Sequence, residues 1–148
     1  MELHPRYDGK THINMYTRGQ TDLGRLLSNI ITPDDLPVIE TPHGKFTTIE
    51  GYWHWLGHRD ERLRTLSGWD AKAWVRGRKR PYNMPFSEFY DFMKQAITYK
   101  ITHSPTLRTL LKDSTLPFTN YYVSGNRVID PGADWLCQIV EDVRDSLR

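Results

Sequence analysis

Apolar positions recur at helical spacing through the second half of the chain. Phe86, Phe89, Tyr90, Met93, Ala96, Ile97 and Ile101 form one stripe, with Glu88, Asp91, Lys94, Gln95 and Thr98 opposite. The pattern predicts a long helix that starts at Pro85 or Ser87 and ends near Thr102. Ser104-Pro105 opens another, with Leu107, Leu110 and Leu111 on one face. Beyond Asp130-Pro131, Trp135, Leu136, Ile139, Val140, Val143 and Leu147 mark a closing helix. Upstream the helical signals are shorter. Thr47 and Glu50 have capping-box spacing and open a helix through Tyr52, Trp53 and Leu56 that stops near Gly57. Residues 21–29, 59–66 and 69–75 carry further short helical patterns, and 32–36 reads as a turn.

Alternation of apolar and polar residues predicts strands in three places. They are His12 to Arg18, a hairpin over Pro37–Ile49 around Pro42-His43-Gly44, and a hairpin of Phe118–Val123 with Arg127–Ile129. Helices outweigh strands, and the strands come mostly in hairpins. The expected fold is therefore α+β: one mostly helical domain over residues 1–148 with a small antiparallel sheet.

One residue breaks the pattern. Advancing about 100° per residue puts Lys100 within roughly 30° of the centre of the long helix's apolar stripe. A lone ammonium there loses its hydration, so it needs a partner, a depressed pKa or a path to water. Near a helix end its stem can cover apolar surface while its head reaches solvent or the last carbonyls. Placed in a site, a desolvated amine can attack an anomeric carbon, and a charged one can hold a phosphate. Glu50 lies about 60° off the stripe of Ile49, Trp53 and Leu56, at the lip of a cleft. It can close the capping box, or it can stabilise an oxocarbenium-like cation or activate a water.

Composition narrows the field. The 148 residues are 38% hydrophobic and 26% charged, typical of a globular domain. A net charge of +2 argues against nonspecific attraction to nucleic acid as the main feature. Cys137 stands alone and excludes an intramolecular disulfide. No run approaches the 18 or so apolar residues of a membrane span, and the start carries no signal-like apolar core, so a cytoplasmic protein is expected. Five Trp and eight Tyr supply flat side chains for a core or a ring-binding pocket. Arg76-Gly77-Arg78-Lys79-Arg80, flanked by Trp69, Trp74 and Tyr82, reads as a solvated loop or as a phosphate and base contact. His54 and His58 are spaced for zinc, but no third ligand is apparent. No metal or cofactor is expected.

Leu26-Leu27-Ser28-Asn29, then Phe46-Thr47-Thr48-Ile49-Glu50 with Tyr52 and Trp53, resemble the NADAR (YbiA-like) superfamily. Met93 to Lys100, Pro105 to Leu111 and Gly132 to Arg144 continue the resemblance in the same order, over roughly residues 23 to 147. The resemblance implies a mostly helical α+β fold and cleavage of an N-glycosidic bond, in riboflavin-pathway intermediates or ADP-ribosylated guanine bases. Glu50 and Lys100 then become the candidate catalytic pair. Ser28, Asn29, Trp53, Trp69, Arg76, Arg78 and Asp134 become candidate substrate contacts. Two positions depart from the family pattern: Gly57 stands where a lysine is usual, and Asp134 where an asparagine is common. Lys45 is a further amine that could substitute. The expected partner is a nucleotide-like or ADP-ribosylated small molecule or a nucleic acid. The alternatives are a non-catalytic ADP-ribose, nucleotide or protein-binding module, or a nucleic-acid binder acting through the Arg76–Arg80 run. Oligomeric state stays open.

Overall fold

A computed structural model describes all of residues 1–148 and is 48% helical. Its internal packing gathers into two compact units. The first joins residues 1–28 to 105–148, and the second is residues 29–104.

The first unit pairs β1 (Ile13–Asn14) in parallel with β4 (Phe118–Thr119), Ile13 opposite Phe118. A hairpin of β5 (Tyr122–Ser124) and β6 (Arg127–Ile129) follows. Around them lie α1 (Asp22–Leu27), α5 (Pro105–Asp113) and α6 (Asp134–Ser146). Leu23, Leu27, Leu107, Leu111, Leu136, Ile139, Val140 and Val143 fill this core, and the stripe read from the closing helix faces inward. Cys137 is buried on the same helix, and burial pushes its thiol up to about 12.

The second unit contains the hairpin β2 (Ile39–Thr41) and β3 (Gly44–Phe46), with Ile39 opposite Phe46. Then come α2 (Ile49–His58), a single 3₁₀ turn at Glu61–Arg64, α3 (Gly68–Val75) and α4 (Phe86–His103). Ile39, Phe46, Ile49, Tyr52, Leu56, Leu63, Met93, Ala96 and Ile101 are its sealed interior.

The α+β class and most helices stand as expected. The helix expected over 59–66 is only the 3₁₀ turn Glu61–Arg64, and Phe86 at the start of the long helix's stripe is 58% exposed. Some boundaries also differ for identifiable reasons. In place of one small antiparallel sheet the strands form three separate two-stranded pairs, two antiparallel and one parallel. Phe118–Thr119 pairs with β1 instead of extending the last hairpin, because Tyr121 is anchored by Asn14. The extended run from His12 stops early, since Gly19 N–H closes a turn onto the Tyr16 carbonyl. The closing helix begins at Asp134 and not at Asp130. The Asp130 carboxylate accepts the Gly132 N–H, and Gly132 sits at φ +73°, a left-handed conformation that delays the helix.

Asn14 ties the two halves of the first unit together. Its side chain donates to the Tyr121 carbonyl and accepts the Tyr121 N–H, both at 2.9 Å, and its backbone N–H donates to Asp8 at 3.0 Å. All of these groups are buried. Asn14→Ala leaves a buried backbone donor and acceptor without partners. It is expected to lower stability by about 2–4 kcal/mol in urea unfolding, with the m-value unchanged.

Candidate functional site

In the second unit, three elements converge on one short stretch of backbone, Asn29–Ile31. The Asn29 carbonyl accepts the Glu50 N–H from the first turn of α2 at 2.9 Å. The Ile31 carbonyl accepts Lys100 Nζ from α4 at 2.6 Å. Ile30 lies against Gly68, the first residue of α3, where a Cβ would stand only 2.6 Å from Ile30 Cα. The two candidate catalytic residues are thus fastened to the same strap, two residues apart along it.

Lys100 is 2% exposed, among the largest sealed side chains of the protein. The stem does not carry its ammonium out to water. Burial lowers its pKa from 10.5 to about 7, because the charged form gives up hydration that the interior only partly replaces. Near neutral pH roughly half of this amine is therefore unprotonated.

Glu50 does not close a capping box. The N-cap of α2 is Thr48, one residue later than the spacing suggests, and its hydroxyl accepts the Gly51 N–H at 2.9 Å. That register makes Glu50 the second helical residue, and its carboxylate turns along the helix instead of back over the cap. Glu50 Oε1 lies 2.9 Å from Nε2 of His54, one turn on. A carboxylate oxygen accepts, so the ring carries its proton on Nε2. Both side chains remain 16% exposed. His58 stands one further turn along and meets the Trp74 ring edge-on, centroids 5.5 Å apart. Burial, then the charges of Arg80, His54 and Arg78, hold His58 below the ordinary imidazole value.

The space beside Gly57 is filled by the end of the flexible Arg80 side chain. A Cβ there would collide with the Arg80 guanidinium, 2.6 Å from its Cζ. Arg80, from the turn after α3, brings a cation to the place where the resemblance expects a lysine. Tyr82 N–H bonds to the Gly57 carbonyl at 3.0 Å and secures that turn against α2. Spacing along the chain could not reveal Arg80, which lies 23 residues from Gly57 in a separate element.

The other candidates are dispersed. Ser28 caps the end of α1 in the first unit, its hydroxyl 3.1 Å from that of Thr17, and Asp134 is the exposed first residue of α6 in that unit. In the second unit Asn29 belongs to the strap, and Trp53 packs edge-on to Phe89 at 4.7 Å. Trp69 is 51% exposed. Arg76 and Arg78 are exposed beyond α3. Lys45 lies exposed on β3 opposite Glu40. Trp55 is closed to any ligand. It is buried against Phe46, Tyr52 and His43, with the Arg59 and Arg64 guanidiniums 4.5 and 4.9 Å from its ring centroid. The first unit also holds a cavity of about 280 Å³, lined by Asp8, Asn14, Tyr16, Arg18 and Tyr121 among others. None of the residues singled out from the sequence lines it. No helix is long and apolar enough to cross a membrane.

No family profile matches the sequence, and no curated protein matches it. Among solved structures the chain is similar to the NMR structure of the Escherichia coli protein YbiA, with a TM-score of 0.68 and 21% identity. The likeness covers 93% of this chain and 84% of that one, so the fold is YbiA-like.

The buried amine makes a stability prediction whose sign is fixed. Between pH 7 and 10.5 the unfolded chain binds the Lys100 proton and the folded chain does not. Stability from this group therefore rises with pH across that window, by several kcal/mol in all. Lys100→Met keeps the stem volume and removes the titration. The urea unfolding free energy of wild type minus that of the variant should be negative at pH 7 and rise steadily toward pH 10.

Proposed function

We propose that this YbiA-like chain acts as an N-glycosidase on the N-glycosidic bond of an ADP-ribosylated base or a related ribosyl nucleotide. The observation that supports it most is the sealed amine of Lys100, poised near neutrality and bonded to the same short stretch of backbone that accepts the main-chain N–H of Glu50, whose carboxylate is partly exposed. Breaking the bond sends its electron pair to the base nitrogen, which must gain a proton. Positive charge develops at the anomeric carbon and the ring oxygen. Glu50 is suited to stabilise that charge, with His54 holding its carboxylate in place. Once it leaves the Ile31 carbonyl, the neutral Lys100 amine adds its lone pair to the anomeric carbon and gives up an N–H proton, which passes through solvent to the departing base nitrogen. Water then displaces the amine from that carbon, returning a proton to it and leaving the sugar with a hydroxyl. Arg80, seated on Gly57, is suited to a pyrophosphate oxygen.

One observation favours a second reading. A lysine fixed on a backbone carbonyl at 2% exposure also serves as a strut, in which case the site binds a nucleotide without cleaving it.

Incubation with ADP-ribosylated guanosine, followed by chromatography of the released base, separates the two. The enzyme reading expects release that rises as pH passes through about 7. It also expects a loss of about a hundredfold or more in Glu50→Gln and Lys100→Met. Saturable ADP-ribose binding by calorimetry with no base release selects the binding module. Neither release nor binding defeats both readings.

A further inference from the structure

The charge of this chain is concentrated. Between Arg59 and Arg80 eight Lys and Arg residues stand against Asp60, Glu61 and Asp70, although the whole chain is only +2. The remainder is therefore net acidic. Two of the three acids are already engaged, Asp60 by Arg62 and Glu61 by Arg64. Arg76, Arg78, Lys79 and Arg80 are exposed and form no ion pair.

Flat rings are set among these cations. Trp69 and Tyr82 are 51% and 52% exposed. The Arg78 guanidinium lies 4.2 Å from the Trp74 ring centroid and that of Arg62 5.5 Å. Arg78 is fixed further by its Nε, which donates to the Trp74 carbonyl at 2.7 Å. A guanidinium laid on an indole is pre-ordered while its outer N–H edge stays free for an anion. Gly77 takes φ +76° with nothing within 4 Å of where a Cβ would stand, so a backbone can approach the turn closely.

We propose that this face of the second unit binds a single strand of nucleic acid, with the Arg76–Arg80 turn on its phosphates and Trp69 and Tyr82 stacked on its bases. A single strand fits better than a duplex because exposed rings need unstacked bases to lie against. It fits better than an acidic protein because carboxylates offer nothing for those rings. The proposal does not depend on the chemistry at Glu50. Were both to hold, the row Glu50, His54, His58 would link them, since it spans about 12 Å of helix and ends against Trp74.

The test is fluorescence anisotropy with a labelled twelve-nucleotide single strand, the matching duplex and poly-glutamate. The single strand should bind saturably in 50 mM salt. With four phosphates neutralised, log K should fall against log salt with a slope of about −3. Arg76→Glu with Lys79→Glu, neither side chain forming a hydrogen bond or ion pair, should weaken binding at least tenfold and flatten that slope. Trp69→Ala and Tyr82→Ala should each weaken it about tenfold at an unchanged slope. Lys112→Glu, in the first unit, should leave it unaltered. Circular dichroism checks that each variant is folded. No saturable binding, equal binding of poly-glutamate, tighter binding of the duplex, or indifference to these substitutions would overturn the proposal.

Discussion

The strap at Asn29–Ile31 organises the second unit, because three elements distant along the chain meet at its backbone. Glu50 N–H takes one carbonyl, Lys100 Nζ takes another, and Gly68 lets α3 sit directly on the residue between them. The two hydrogen bonds satisfy polar groups, and a buried donor or acceptor left unmet costs about 1–3 kcal/mol, while the Gly68 contact is one of close packing. Burying the Lys100 amine costs stability in its charged form, and the Ile31 carbonyl offsets only part of that. Perturbed titrations of this kind gather at working sites.

Around that strap, α2 carries two different chemistries on two faces. Tyr52, Trp55 and Leu56 point into the aromatic core. Glu50, His54 and His58 form a polar row that leads from the strap toward the cationic turn after α3. The helix ends at Arg59, the one non-glycine residue with a left-handed φ, at 55°. That conformation is disfavoured for a side chain with a Cβ. It is held by Arg59 N–H on the Trp55 carbonyl at 2.7 Å and by the guanidinium over the Trp55 ring. The strained residue thus places a cation at the junction between core and basic surface.

The wording of a local motif proved less durable than its physics. Thr47 and Glu50 have capping-box spacing, yet Thr48 caps the helix. Gly51 then occupies the third position, where the Leu63 carbonyl passes too close for a side chain. Shifting the cap by one residue changed Glu50 from a terminus-binding group into a carboxylate held by His54. Gly57 stands where the resemblance implies a lysine, and in space it is the seat of Arg80.

By itself the sequence determined most of the helices, the first hairpin and the turn of the second, most of the buried face of each long helix (Phe86 is 58% exposed) and the anomaly of Lys100. All of these follow from side-chain periodicity, which is a property of neighbours a few residues apart. Only the tertiary structure decided what that lysine binds, since Ile31 lies 69 residues away and a carbonyl carries no residue-specific signal. The same holds for the parallel pairing of β1 with β4, for Asn14 anchoring Tyr121, and for Arg80 over Gly57. Such contacts form between segments brought together by burial of apolar surface elsewhere, so no spacing along the chain encodes them.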